Sequence, residues 1–136
     1  MKRIANATWK GGLKDGKGTF SVASGTITNQ NVTFRTRFED EPGTNPEELI
    51  AAAHASCFSM AFSAQLGKLE ITPESIDTTC TITFENGTLS KSVLQTTVNA
   101  GGADKAKIEE AANNAKAGCP ISKVLNLEVA LELTIA

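Results

Sequence analysis

The segment from Asn45 to Gly67 limits the possible folds more than any other part of the chain. Asn45 suits a helix N-cap, Pro46 suits the first helical position, and Glu48 completes a box-like Asn-x-x-Glu arrangement. The residues that follow are rich in alanine and apolar nearly all round, which predicts one long helix buried on most sides. The polar side chains that interrupt it are His54, Ser56, Ser59, Ser63 and Gln65. Because of them we expect a core helix and no membrane span.

The first forty residues have the pattern of strands joined by glycine-containing turns, with a short strand at about residues 19–23. Residues 32–38 then alternate between apolar and polar side chains, with Phe34 and Phe38 on the apolar side. This period predicts a strand with one apolar face. Arg37 would therefore point away from the phenylalanines.

After the long helix the sequence returns to an alternation of apolar and polar residues. Residues 76–85 alternate as a strand, and Asn86-Gly87 predicts a hairpin that leads to a partner strand ending near residue 98. A helix is expected from about Asp104 to Ala117, capped by Gly118, and residues 125–135 alternate as a terminal strand. This order predicts an α+β fold of antiparallel sheets around the long helix, in a single domain over residues 1–136.

Composition and charge exclude several classes of function. Lys and Arg number 13 against 15 Asp and Glu, so no basic stripe indicates a nucleic-acid partner. Three cysteines fit poorly with a secreted disulfide framework, and no apolar run follows the basic start as in a secretory signal. We therefore expect a cytoplasmic protein. One histidine and no Cys-x-x-Cys pair offer little for a zinc site.

Two cysteines suggest thiol redox chemistry. Cys57 lies inside the long predicted helix, and Cys119 follows the end of the next helix. A buried free cysteine is often a small core residue, whereas a reactive thiol needs an electropositive and partly exposed setting. Arg37 is the candidate cation, and Glu47 is placed to orient it. Cys80 alternates with apolar residues on its strand and is expected to be core.

His54 precedes Cys57 by three residues on the same helical face, so a Cys–His nucleophile pair is one hypothesis. The alternative, which we favour, is a ring held by hydrogen bonds in a packed interface. Glu47 and Cys57 are ten positions apart, a rise of about 15 Å in a straight helix. Glu47 therefore cannot touch Cys57 of its own chain directly. An arginine could bridge part of the gap, but a simpler arrangement takes Glu47 and Cys57 from different subunits, so we expect a site at a dimer interface.

A known family matches these residues. The chain resembles the OsmC/Ohr family of thiol peroxidases over essentially its whole length. The matching positions are Arg37, Thr44-Asn45-Pro46-Glu47-Glu48-Leu49, Ala52-Ala53-His54-Ala55-x-Cys57-Phe58-x-Met60 and Cys119-Pro120-x-Ser122. The resemblance is to the OsmC branch, because the Ohr branch takes its arginine from the glycine-rich turn. Here that turn, Gly11-Gly12-Leu13-Lys14-Asp15-Gly16, contains none. The neighbouring Arg35 matches the motif less well than Arg37.

The resemblance implies an OsmC-like fold, an intertwined homodimer and two active sites at its interface. It implies catalytic roles for Cys57, Cys119, Arg37 and Glu47. Organic hydroperoxides, and less readily hydrogen peroxide, would oxidise Cys57 to a sulfenic acid, and Cys119 would convert this to a disulfide. The implied reductant is a dihydrolipoyl-type dithiol, with no metal, flavin or haem. Phe58, Met60 and Phe62 would line a substrate pocket or belong to the core.

Two other functions are compatible with the same residues. One is a non-catalytic binding or interaction dimer on the same fold, in which both cysteines are idle. The other is an acyl transferase that uses Cys57 with His54.

Overall fold

The computed structural model describes all residues, Met1–Ala136. The chain divides into two compact units, Met1–Leu49 and Ile50–Ala136. Its elements, in chain order, are β1 Ala5–Lys10, β2 Lys17–Val22, β3 Gln30–Val32, α1 Phe34–Phe38, α2 Pro46–Lys68, β4 Ser75–Glu85, β5 Thr88–Asn99, α3 Lys105–Gly118, α4 Pro120–Val124 and β6 Glu128–Ile135. The α+β class is confirmed, with two small sheets and one long helix.

The first unit contains a three-stranded antiparallel sheet in the order β1-β2-β3. Its single tryptophan, Trp9, lies on β1 and donates its indole N–H to the carbonyls of Gly11 and Gly12, at 3.2 and 3.3 Å. Gly18 on the paired strand lies under the ring, where a Cβ atom would approach Trp9 to 2.6 Å. The ring and the glycine-rich turn are thus fixed against each other.

The strand predicted over residues 32–38 is wrong. Strand β3 ends at Val32, and α1 begins after Thr33. The Thr33 hydroxyl accepts from the backbone N–H of Thr36, and the Thr36 hydroxyl accepts from the backbone N–H of Thr33. This reciprocal capping box favours a helical turn. Phe34 and Phe38 are then four residues apart on one helical face, with ring centroids 4.9 Å apart.

The N-cap Asn45 and the first helical residue Pro46 are as predicted, whereas the second bond of the expected box joins Glu48 to Thr44. The Asn45 side chain accepts from the backbone N–H of Glu48 at 2.8 Å, and the Glu48 carboxylate accepts from the Thr44 hydroxyl at 2.7 Å. By length and composition alone this helix could also cross a membrane, but the core helix of a soluble protein meets the same criteria.

The burial expected for α2 is only partly present in the single chain. One stripe is buried, formed by His54, Phe58, Phe62 and Leu66. The opposite face is open, and Met60 is 75% exposed. The expectation of a helix buried on most sides is therefore wrong for one copy of the chain.

The second unit contains the predicted hairpin. Strands β4 and β5 pair antiparallel with one shift of register, between Thr83 and Phe84. Both turn residues, Asn86 and Gly87, have positive φ angles, of 53° and 73°. Such angles are required of the two central residues of a type I′ turn. Strand β6 pairs with β5 in parallel, so the sheet is mixed and the expectation of antiparallel sheets is wrong here. A parallel neighbour is reached because α3 and α4 form the crossover.

The core of the second unit lies between α2, β5 and α3. Its fully buried members are Phe58, Phe62, Leu66, Leu94, Val98, Ile108, Ala111, Ala112, Ala115 and Cys119. Helix α3 begins at the N-cap Asp104, as predicted. At its other end Gly118 is still helical, and Cys119 is the C-cap with φ −56° and ψ 129°, which corrects the predicted glycine cap. Cys119 thereby turns inward into the core.

Candidate active site

The two predicted redox cysteines are in contact. Cys57 lies in the middle of α2 and is partly exposed, whereas Cys119 is fully buried. Both are free thiols, and the Cys119 thiol donates to the Cys57 sulfur across 2.9 Å. A disulfide needs the sulfurs about 2.05 Å apart, so only a small movement separates this contact from a bond.

Cys119 reaches Cys57 because two helices meet at it. Its backbone N–H closes the last turn of α3 on the Ala115 carbonyl, at 2.9 Å. Pro120 occupies the first position of α4, where a missing N–H leaves no hydrogen bond unmade. The next backbone N–H, that of Ile121, hydrogen-bonds to Cys57. Ile121 was not predicted as a site residue, since a main-chain donor leaves no signal in the side-chain pattern.

Several groups act on the ionisation of Cys57. Burial raises the pKa of the Cys57 thiol, and its hydrogen bond with Cys119 raises it further. The hydrogen bond from Ile121 lowers the pKa, because it stabilises the thiolate. The raising effects prevail, so these neighbours favour the protonated thiol.

Arg37 and Glu47 form a two-point ion pair within the first unit. The Nη2 and Nε atoms of Arg37 donate to Oε1 of Glu47 at 2.7 and 3.1 Å, and Nε also approaches Oε2 at 3.3 Å. The side chains are 36% and 14% exposed, respectively. The Arg37 guanidinium carbon also lies 5.0 Å from the centroid of the Phe38 ring, so the expectation that Arg37 points away from the phenylalanines is wrong. Two partners thus fix the orientation of its guanidinium.

Arg35 has a different setting. It pairs with Glu39 four residues along the chain at 3.3 Å, and both side chains are more than half exposed. Exposed pairs of this kind contribute little and leave the side chains mobile. The geometry therefore distinguishes Arg37, which is held in one orientation, from Arg35, which lies two positions before it.

A cavity of about 330 Å³ adjoins Arg37 in the first unit. Its lining is mostly apolar and consists of Trp9, Leu13, Val32, Thr33, Phe34, Arg37, Phe38 and Pro46. Leu13 belongs to the glycine-rich turn, so the turn and Arg37 border the same space. A mostly apolar cavity with one cation suits a small apolar molecule that carries a polar group.

His54 is fully buried and bonded on both sides. Its Nδ1 atom lies 2.7 Å from the Ser92 hydroxyl, and its Nε2 atom lies 2.8 Å from the Ser122 hydroxyl. Burial lowers the pKa of the His54 imidazole, so the ring is neutral at physiological pH. Because both nitrogens are engaged by serines, the hypothetical Cys57–His54 pair is not formed.

Cys80 lies at the edge of this polar cluster. Its sulfur is 3.2 Å from the Ser92 hydroxyl, and burial raises the pKa of its thiol. It packs against the core of the second unit, as expected for a structural cysteine.

The structure thus groups the four predicted residues into two pairs, one in each compact unit. Arg37 and Glu47 are paired in the first unit, and Cys57 and Cys119 in the second.

Comparison with known proteins identifies the family of the chain. The family model described as OsmC-like protein matches residues 38–134. Peroxiredoxin OsmC of Escherichia coli strain K12 is 47% identical over 97% of this chain and 95% of its own length. Organic hydroperoxide resistance protein OhrB of Bacillus subtilis strain 168 is 32% identical over 95% of this chain and 96% of its own.

A solved structure has the same fold. The crystal structure from Legionella pneumophila described as an organic hydroperoxide resistance protein OsmC and predicted redox protein superposes with a TM-score of 0.76. The alignment covers 98% of this chain and 97% of that one, at 23% identity. The matched family model and the extent of identity with peroxiredoxin OsmC establish that this chain belongs to the OsmC/Ohr family.

Proposed function

We propose that the chain is a two-cysteine thiol peroxidase that reduces organic hydroperoxides, and less readily hydrogen peroxide, to alcohols and water. The observation that carries the proposal is the 2.9 Å contact between the Cys57 and Cys119 sulfurs. Relatives that are named peroxiredoxin and organic hydroperoxide resistance protein support a role in hydroperoxide removal.

In the first step the Cys57 thiolate attacks one peroxide oxygen and the O–O bond breaks. Cys57 becomes a sulfenic acid, and the other oxygen leaves as an alkoxide that takes up a proton. Burial raises the pKa of Cys57, so the thiolate needs a cation to be populated near neutral pH. We propose that Arg37 is this cation and that it also stabilises the charge on the leaving oxygen. Glu47 keeps the guanidinium oriented through its two-point bond.

In the second step the Cys119 sulfur attacks the sulfenic sulfur of Cys57. A disulfide forms and one water leaves, so the two electrons given to the peroxide come from the two thiols. An external dithiol then reopens the disulfide by exchange and is itself oxidised to a disulfide. A dihydrolipoyl-type dithiol is the reductant that the family resemblance implies. The cycle requires no metal or organic cofactor.

We propose that the working form is a homodimer with its active sites at the interface. The open face of α2, centred on Met60, is the surface that a second copy would cover. A cavity of about 900 Å³ beside this helix, bordered by Ala52, Ser56, Thr78 and Thr96 among others, offers room for side chains of that copy. Large exposed apolar surfaces commonly mark such interfaces. Three free thiols are most easily maintained in a reducing compartment, which supports a cytoplasmic location.

The test is peroxide consumption by the purified protein with dihydrolipoamide as reductant. Cumene hydroperoxide and hydrogen peroxide are compared for the wild type, Cys57→Ser and Cys119→Ser, with Cys80→Ser as the matched cysteine control. We expect turnover by the wild type and by Cys80→Ser, none by Cys57→Ser, and loss of sustained turnover in Cys119→Ser. A folded, dimeric wild type that consumes neither peroxide would contradict the proposal and favour a binding protein.

A further inference from the structure

The segment that carries Cys119 meets the core through Cys119 itself, which is fully buried, and through the partly buried Ile121. Helix α4 has five residues, Pro120–Val124, and none of them is buried. A helix of that length is unstable on its own, because the cost of nucleation exceeds the few hydrogen bonds it forms. Its position, and with it the direction of the Cys119 side chain, depends on specific tertiary contacts.

A side-chain hydrogen bond joins α4 to His54. The Ser122 hydroxyl lies 2.8 Å from Nε2 of the fully buried imidazole. On its other side the ring bonds to Ser92 at 2.7 Å, a fully buried residue in β5. The imidazole therefore links the middle of the sheet to the short helix that follows Cys119.

We infer that His54 is a positioning residue for the second step of the proposed cycle: through Ser122 it holds the segment 119–122 so that Cys119 faces Cys57. The inference rests on the proposed function. His54 does not touch the reacting sulfurs through a hydrogen bond, since both ring nitrogens are taken by serines. It acts on the geometry of Cys119, and the proton balance of disulfide formation is unchanged.

The neutral His54 imidazole can hold both serine hydroxyls. A neutral imidazole has one donor and one acceptor nitrogen, and each serine hydroxyl can donate or accept. The Ser92–His54–Ser122 chain is thus satisfied in either tautomer. Breaking one end leaves a buried polar nitrogen without a partner, which makes the link energetically significant.

The experiment separates the two oxidation steps. Reduced protein is mixed with one equivalent of cumene hydroperoxide, and Cys57 sulfenic acid and the Cys57–Cys119 disulfide are followed by rapid quenching and mass spectrometry. The variants are Ser122→Ala, which removes the hydroxyl, and Ser122→Thr, which keeps it. Ser59→Ala is the matched control, because Ser59 lies on the same helix as His54 and its hydroxyl bonds to Thr78 and the Ala55 carbonyl.

We expect Ser122→Ala to form the disulfide about 5- to 10-fold more slowly, the effect of one lost buried hydrogen bond. Sulfenic acid formation should change much less than disulfide formation, because the displaced segment carries one contact that raises the pKa of Cys57 and one that lowers it. Ser122→Thr should restore fast disulfide formation, and Ser59→Ala should behave as the wild type. Alkylation of the buried Cys119 by iodoacetamide, mapped by peptide, should become faster in Ser122→Ala. This last readout needs no peroxide.

Substitution of His54 tests the other end of the link. His54→Asn keeps a group near Nδ1 for Ser92 but does not reach Ser122, whereas His54→Gln reaches toward Nε2. We expect slow disulfide formation in His54→Asn, a smaller effect in His54→Gln, and no further slowing when His54→Asn is combined with Ser122→Ala.

Wild-type disulfide formation in Ser122→Ala, or equal slowing in Ser59→Ala, would overturn the inference and leave the peroxidase proposal intact. Additive slowing in the His54→Asn, Ser122→Ala double variant would overturn the link through His54. A wild type that forms neither sulfenic acid nor disulfide would overturn both proposals.

Discussion

The Arg37 guanidinium is held from two sides, by the Glu47 carboxylate and by the Phe38 ring. A planar guanidinium bonded at two points keeps one orientation, which a lysine ammonium cannot reproduce. In the proposed cycle Glu47 is therefore a positioning residue, which acts on the peroxide through the orientation of Arg37.

Substitution of this pair gives the first prediction. We expect Arg37→Lys and Glu47→Gln each to lower kcat/KM for cumene hydroperoxide by about 10- to 100-fold, the range for losing one to two charge-assisted hydrogen bonds. Steady-state kinetics measures the loss. Arg35→Lys is the matched control, since its exposed pair with Glu39 should contribute nothing. Equal losses in Arg35→Lys and Arg37→Lys would show that the assignment of the cation is wrong.

His54 gives a prediction about pH. Burial lowers the pKa of its imidazole below the ordinary value of 6.5. The unfolded chain then binds a proton that the folded chain does not, so the free energy of unfolding decreases as the pH falls below about 6.5. The decrease ends at the lower pKa of the folded state.

Urea unfolding between about pH 7.5 and pH 5.5, a range centred on the ordinary histidine pKa, measures this slope. His54 is the only histidine in the chain, so His54→Gln should have a flatter profile. Identical slopes for the two proteins would contradict the lowered pKa.

At the scale of elements, the ends of α2 and α3 are fixed by side-chain caps. Asn45 accepts a backbone N–H at the start of α2, and Asp104 accepts two at the start of α3. Each cap removes an unpaired donor from the first turn. Asn45 is also followed directly by Pro46 and Glu47, so the cap fixes the position of Glu47, the ion-pair partner of Arg37, in the first turn of α2.

We expect Asn45→Ala to lower the free energy of unfolding by about 1 kcal/mol, the usual cost of losing an N-cap. Urea denaturation measures the change. Asn113→Ala is the control, because Asn113 lies exposed inside α3 and bonds only to the Glu109 carbonyl of its own helix. If both variants lowered the free energy of unfolding by the same amount, the loss could not be attributed to the Asn45 cap.

The elements that carry several independent signals are predictable from the sequence. Long α2 has a cap, a proline and a periodic apolar run, and the hairpin has Asn86-Gly87 between two alternating strands. Helix α1 was missed because Phe34 and Phe38 fit a period of two as well as a spacing of four. The choice was made by the Thr33–Thr36 capping box, a local feature that outweighs the alternation.

The site is less predictable than its elements. Cys57 and Cys119 are separated by 62 positions, and no periodicity brings two such residues together. Their pairing was expected because of the resemblance to a family, and the geometry agrees. The parallel strand β6 and the helix α4 were missed because both depend on how the chain crosses over the sheet, which is decided by tertiary packing.

At the scale of the whole molecule, α2 leaves an apolar face uncovered in the single chain. Its buried stripe follows every fourth residue from His54 to Leu66, and Met60 projects from the other side. Burying a methionine side chain contributes about 1.5–3 kcal/mol, so covering this face would stabilise an assembly.

A charge at that position gives a prediction about assembly. We expect Met60→Glu to weaken the proposed homodimer, because an unpaired carboxylate in an apolar interface is costly. Sedimentation over a range of concentrations measures the dimer dissociation constant. Val124→Glu is the control, since Val124 is similarly exposed, at 73%, on a different helix. A dimer unaffected by Met60→Glu would show that this face of α2 is not the interface.

The position of Trp9 has a practical consequence. It is the only tryptophan in a chain without tyrosine, and its ring borders the cavity beside Arg37. The intrinsic fluorescence of the protein therefore comes almost entirely from Trp9, a residue that lines the cavity. A hydroperoxide, or an unreactive alcohol of the same shape, that enters the cavity changes the emission of this ring. Binding of a small molecule in the cavity can thus be followed by tryptophan fluorescence, without a label and before any sulfur has reacted.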